Sequence, residues 1–98
     1  MIGNFDPEGV ETRVIHDLVD FRGKDVLEIG CDDGRMTWLY ADAADSVLAF
    51  DPAESSIAAA REKTPERLNA KVVFRVAGMM DIDLSDAAYD VALFSWSI

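Results

Sequence analysis

Two short apolar runs, DVLEIG (25–30) and SVLAFD (46–51), lie either side of one helix-length segment, and this arrangement limits the chain to few folds. Each run is almost continuously apolar, as in strands of a parallel sheet that are buried on both faces. Parallel neighbours need a crossover between them, and a right-handed helical one is the rule. Residues 34–43, with Met36, Leu39, Tyr40 and Ala43 on one side, read as that helix. The pattern then repeats. Pro52 and Glu54 open a helix that runs through Ile57 and Ala60 until Thr64 and Pro65 stop it. KVVFRVA (71–77) and YDVALFSW (89–96) follow as third and fourth strands, while RLNAK and GMMDIDLSDAA read as loops with at most a turn of helix. The expected class is α/β, a parallel sheet with flanking helices.

Ahead of the first strand, Asp6, Pro7 and Glu8 have the form of a helix start: a capping carboxylate, a proline at the first helical position and an acid in the first turn. Val10, Val14 and Leu18 recur every four residues, with Ile15 and Phe21 widening the stripe, so an amphipathic helix with one buried face is expected until Gly23 breaks it. His16 lies off the stripe's centre and reads as solvated or partly packed. Residues 1–98 are expected to form one domain, with the amphipathic helix over 1–22 and the strand-helix-strand unit over 23–98.

At 98 residues the chain has the length of one small domain, and a composition 50% hydrophobic and 29% charged is that of a globular protein. Nineteen acidic against nine basic residues give a net charge of −10, a field that repels a nucleic-acid backbone, so no direct nucleic-acid partner is expected. The lone Cys31 excludes an intrachain disulfide and suits a reducing compartment. MIGNFDPEGVETR has neither the basic start nor the apolar core of a signal peptide. No apolar run approaches the roughly 18 to 20 residues of a membrane span. A soluble, cytoplasmic protein without membrane contact is expected.

Ligands of open parallel sheets bind at the carboxyl ends of the strands. Polar or glycine clusters stand at four such ends: Glu28–Gly34, Asp51–Ala53, Gly78–Asp81 and Ser95–Ser97. The first is unusual in being acidic. A strand-to-helix turn ordinarily receives an anion, because the helix N-terminus presents unpaired N–H groups. Glu28, Asp32 and Asp33 in that turn point instead to a cationic guest. A dinucleotide fingerprint G-x-G-x-x-G would need glycine at 30, 32 and 35, and only Gly30 is present. The pattern E/D-x-G-x-G-x-G fares better, with Glu28, Gly30 and Gly34 in place and Asp32 at the middle glycine. No metal site is expected.

On these residues the chain resembles the class I S-adenosylmethionine-dependent methyltransferases, in particular the small-molecule, type 11-like branch, over Gly23 to Ile98. The resemblance implies a Rossmann-like parallel sheet of strand order 3-2-1-4, truncated after the fourth strand where relatives continue through three more. It implies S-adenosylmethionine as cofactor and S-adenosylhomocysteine as product. Glu28, Gly30, Cys31, Asp32 and Gly34 would hold the cationic methionine part, with Cys31 acting through its backbone. Asp51, followed by Pro52, would accept the ribose hydroxyls, and it can also cap the next helix. Gly78 and Met79 stand where relatives usually carry an acid for the adenine amine, with Met79 or Met80 available to pack on the ring or fill the core. Ser95 and Trp96 close the fourth strand. The N/D-P-P-Y/F signature of exocyclic-amine methylation is lacking there, which favours a small-molecule acceptor. No residue stands out as a catalytic base. Two other readings compete: a degenerate, noncatalytic module, favoured by Asp32 and Gly78, and a nicotinamide-dependent oxidoreductase, supported by Gly30 and Asp51 alone. The fourth strand, with Val91, Leu93, Phe94 and Trp96, would present an unpaired apolar edge, so self-association is expected.

Overall fold

The computed structural model describes residues 10–81 and 89–95, with side chains from Arg13 onward and Met79 excepted. Strands β1 (Asp25–Ile29), β2 (Ser46–Asp51), β3 (Val72–Val76) and β4 (Val91–Phe94) form one parallel sheet in the order β3-β2-β1-β4. This is the 3-2-1-4 order that the resemblance implies. Pairs such as Ile29↔Phe50, Ile29↔Phe94 and Asp51↔Val76 bring the carboxyl ends of all four strands to one side. The helices are α1 (Val10–Leu18), α2 (Thr37–Tyr40) and α3 (Glu54–Lys63), with 3-10 turns at Glu66–Leu68 and Met79–Asp81.

Alternation along the strands sorts the side chains into two layers. On one face Val26, Val47, Ala49, Val72 and Phe74 pack with Phe21, Tyr40, Ile57, Ala60 and Leu68. On the other, Leu27, Ile29 and Phe50 form a smaller cluster, against which Leu48, Ala77 and Tyr89 pack. Each large side chain so buried stabilises the fold by about 1.5–3 kcal/mol. β1 is buried from Val26 to Ile29, as its apolar run requires, and Glu28 in its middle is the exception in polarity.

Three sequence expectations need correction. In α1 the Val14–Leu18 stripe is not the buried face: Val14 is 52% and Leu18 78% exposed, and Ile15 and Val19 make the core contacts instead. The cause is where α1 ends. It stops at Leu18, and the chain turns so that Phe21, from a loop, fills the core and stacks on Tyr40 with ring centroids 4.6 Å apart. Gly23 therefore does not break the helix but takes the following turn with φ 70°. The helix expected over 34–43 shrinks to Thr37–Tyr40, because the flanking bonds Leu39 N–H to Met36 O and Ala43 N–H to Tyr40 O span three residues and tighten its ends. The helix start at Asp6–Glu8 and the strand residue Trp96 lie outside the described residues.

His16 is exposed, with Nε2 2.8 Å from the carbonyl oxygen of Leu39 and its ring edge-on to Phe21, so it joins α1 to α2 and is remote from the strand ends. No helix among the described residues is long and apolar enough to cross a membrane.

Candidate functional site

The turn after β1 is built on left-handed backbone. Gly30 has φ 76°, Asp32 φ 53° and Gly34 φ 91°. Glycine adopts such angles freely, and aspartate tolerates them better than most residues. Asp32 thus keeps the path that a glycine would give. Gly34 has a second reason for its identity: a Cβ there would stand 2.6 Å from the Trp38 ring.

The three acids that the sequence groups into one negative field have separate partners. The Glu28 side chain lies beneath the turn, fully buried. Asp32 Oδ1 accepts the Ser56 hydroxyl at 2.8 Å, tying the turn to the first turns of α3. Asp33 pairs with Lys63 near the end of α3 at 2.6 Å, and that ammonium holds its carboxyl below the usual carboxylate range. Asp33's charge is therefore largely offset within the protein, and the acidity of the turn alone is a poorer argument for a cationic guest than the sequence implies.

Asp51 stands half-buried at the carboxyl end of β2. Its Oδ2 accepts the Asp32 N–H at 3.0 Å and its Oδ1 the Ala53 N–H at 2.9 Å. It therefore joins the turn to the start of α3, whose N-cap Ala53 has no side-chain bond of its own. A carboxylate has about four acceptor positions, so these two N–H groups leave it able to receive a vicinal diol. Pro52 is exposed beside it.

At the end of β3, Ala77 N–H bonds to the carbonyl of Asp51 at 3.1 Å, which sets Gly78 next to the Asp51 position. The 3-10 turn Met79–Asp81 then folds back so that Asp81 Oδ2 accepts the Gly78 N–H at 3.0 Å. An acid is thus present at this strand end, three residues later than a reading of the adjacent positions would place it. Met80 beside it is 95% exposed, so it does not fill the core. Of Met79 only the backbone, in that turn, is described.

Ser95, half-buried just past β4, reaches the turn from the other side. Its Oγ lies 2.5 Å from Glu28 Oε2 and 3.1 Å from the Gly30 carbonyl. Glu28 Oε1 accepts hydroxyls from Thr37 at 2.6 Å and Tyr40 at 2.5 Å. Burial pushes the Glu28 carboxyl above its usual range against the lowering effect of these hydroxyls. Burial likewise pushes up the Cys31 thiol and the Tyr40 phenol, so both stay protonated. Cys31 is buried, its N–H bonded to the Phe50 carbonyl at 3.1 Å, and it presents no nucleophile.

The strand ends therefore bring together Glu28, Gly30, Cys31, Asp32, Gly34, Asp51, Pro52, Gly78 and Ser95. Sequence reasoning missed Ser56, Lys63, Thr37 and Tyr40, and it included Asp81 only as the last residue of the Gly78–Asp81 cluster, without a role of its own. Thr37 and Tyr40 were detectable in principle: two hydroxyls three apart share one helix face, beside a strand whose buried run contains a carboxylate. No group of three or more His, Cys, Asp or Glu among the described residues could hold a metal ion. A groove of about 330 Å³ lined by Ser46, Leu48, Lys71, Val73, Arg75 and Tyr89 lies toward the amino ends of β2 and β3, away from these residues.

The comparisons with known proteins agree with this fold. A family model described as a methyltransferase domain matches residues 26–98. A Mycolicibacterium smegmatis protein named "Probable S-adenosylmethionine-dependent methyltransferase" is 35% identical over 71 residues, covering 72% of this chain and 26% of its own. Among solved structures, a Listeria monocytogenes protein assigned to the S-adenosylmethionine-dependent methyltransferases superposes with TM-score 0.69 at 30% identity, covering 89% of this chain and 39% of that one. A tRNA (m1A58) methyltransferase from Aquifex aeolicus shares the fold with TM-score 0.77 at 18% identity, covering 95% of this chain and 38% of that one. The chain thus spans about a quarter of the curated relative's length and about two fifths of these structures.

Proposed function

The chain belongs to the methyltransferase-domain family, and we propose that it forms the S-adenosylmethionine-binding part of an enzyme that methylates a small-molecule acceptor. The observation that carries this reading is the bond between Asp32 N–H and Asp51, which joins the glycine turn to the acid at the carboxyl end of β2. In this reading Asp51 receives the ribose diol, the turn Gly30–Gly34 holds the methionine part, and Asp81 receives the adenine amine that Gly78 and Met79 cannot. Ser95, beside the Gly30 carbonyl, lies at the methionine end.

The bound cofactor supplies a sulfonium methyl group whose transfer leaves a neutral thioether. The chain's own residues bind and orient, which is the main demand of an in-line displacement with a good leaving group. Cys31 and Tyr40 remain protonated and buried, and Glu28 is enclosed, so none of them serves as a base toward an acceptor. The net charge of −10 favours a small acceptor over a polyanion. The left-handed Asp32 and the acid at 81 both support a turn able to bind, against the degenerate module. A nicotinamide dinucleotide would lack the fingerprint glycines at 32 and 35, which are Asp32 and Arg35. A cytoplasmic location accords with the single buried thiol.

Titration calorimetry of the chain with S-adenosylmethionine, S-adenosylhomocysteine and NAD tests the proposal. Binding of the first two and not of NAD is expected. A folded chain that binds NAD, or none of the three, would refute it.

A further inference from the structure

The hydroxyl of Ser95 lies between two acceptors, Glu28 Oε2 at 2.5 Å and the Gly30 carbonyl at 3.1 Å, and it has one hydrogen to give. With Glu28 ionised, Ser95 can serve only one of them. Among the described residues the other, in a buried residue, would then lack a partner, at a cost that native structures rarely bear. A proton on Glu28 Oε2 removes the conflict: Glu28 donates to Ser95, Ser95 donates to the Gly30 carbonyl, and Oε1 still accepts from Thr37 and Tyr40. Every hydrogen then has an acceptor, in a chain running from α2 through β1 to the end of β4 and back to the cofactor turn.

We infer that Glu28 is held as a neutral carboxylic acid and acts as a positioning residue, aiming Ser95 at the Gly30 carbonyl and so fixing the turn against the end of β4. Its task at the turn rests on the proposed cofactor site, whereas its protonation is a property of the free chain. The surroundings agree. Glu28 is fully buried, and burial outweighs the opposing influences on its carboxyl. Among the described residues, the titratable groups facing it are Tyr40 from α2 and Arg35 and Cys31 from the turn before it. Tyr40 and Cys31 stay neutral, so Arg35 is the one among these whose charge favours ionised Glu28. Just past β4, Ser95 contributes a hydroxyl, which does not titrate.

The inference is tested by carboxyl-selective carbon NMR of the free chain, with the Glu28 signal assigned by its loss in Glu28→Gln. Glu28 should remain in its protonated form at pH 7, while surface carboxylates titrate in the ordinary acidic range. Ionisation of Glu28 together with those groups would overturn the inference. Calorimetry with S-adenosylhomocysteine tests the positioning role. Glu28→Ala should lose tenfold or more in affinity, and Glu28→Gln, whose amide can donate to Ser95 and accept from Thr37 and Tyr40, should recover most of that loss. A glutamine variant as weak as the alanine one would mean that a negative charge is required, which also overturns it. If the parent chain binds no S-adenosylhomocysteine, the proposed function fails and the NMR measurement alone decides the state of Glu28.

Discussion

The backbone N–H of Asp32 donates to Asp51 Oδ2 at 3.0 Å, so the turn after β1 and the end of β2 are one structural unit although 19 residues separate them. This bond makes Asp51 more than a ligand. Its other oxygen holds Ala53 N–H at the head of α3, and the two roles that the sequence left side by side, ribose acceptor and helix cap, coexist in the geometry.

Asp51→Ala should therefore act twice. Loss of a charge-assisted hydrogen bond to the cofactor costs about 1.5–3 kcal/mol, or roughly tenfold to a hundredfold in affinity for S-adenosylhomocysteine. Loss of the acceptor for two backbone N–H groups should lower unfolding free energy by about 1–2 kcal/mol. Calorimetry and urea melts separate the effects, with the far-UV circular dichroism of the folded variant nearly unchanged. Unaltered affinity would dismiss Asp51 as the ribose acceptor.

Asp32 sets two small terms against each other. Replacement by glycine relieves a left-handed φ of 53° and removes the Ser56 bond, and the two nearly cancel, leaving stability within about 0.5 kcal/mol of the parent. Replacement by alanine keeps the strain and loses the bond, so Asp32→Ala should cost about 1–2 kcal/mol. Urea denaturation of both variants checks the order. Equal stability of the two would show that φ at this position carries no cost.

The Glu28 carboxyl is pushed up in the folded chain from an ordinary value near 4.5, which fixes the sign of its pH dependence. Folded protein then holds a proton that unfolded chain has released, so this contribution is greatest below the unfolded value and declines as pH rises toward the folded one. Asp20, Asp33 and Asp42, each held low by a basic partner, act in the opposite sense, their contribution fading as pH falls below about 3.8. Comparison with Glu28→Gln cancels those. The stability difference, parent minus variant, should fall as pH rises above about 4.5, by thermal melts across that range. A difference that grows with pH would mean an ionised, stabilised carboxylate.

Among the described residues β4 pairs with β1 on one side only, and Phe94 near its end is 60% exposed. Such an edge templates pairing with another chain. Sedimentation velocity over a range of concentrations should show self-association of the 98-residue chain, and a monomer at every concentration would contradict it.

Much of this was legible in the residues. Runs such as DVLEIG and SVLAFD are too continuously apolar to be anything but central strands, and β1 and β2 fall within a residue of them. Asp51 could be found because strand ends are where such sheets bind. What stayed hidden depends on contacts between segments. The face of α1 could not be read from the recurrence of Val10, Val14 and Leu18, since Phe21, from outside the helix, takes the core position. Asp81 could be grouped with Gly78 at a strand end, but its contact could not be read, because it takes a 3-10 turn to fold its carboxylate back onto the Gly78 N–H. The partners of Glu28, Asp32 and Asp33 come from α2, α3 and the residue after β4, so counting charges in the turn overstated the field a ligand would meet.

The most direct measurement is a two-dimensional amide NMR titration of the chain with S-adenosylhomocysteine. Perturbations are predicted to concentrate at Gly30–Gly34, Asp51, Ala53 and Gly78–Asp81, around the Asp32–Asp51 junction. Perturbations confined instead to Ser46–Leu48 and Lys71, at the groove near the amino ends of β2 and β3, or no perturbation at all in a folded chain, would contradict the assignment of the strand ends as the cofactor site.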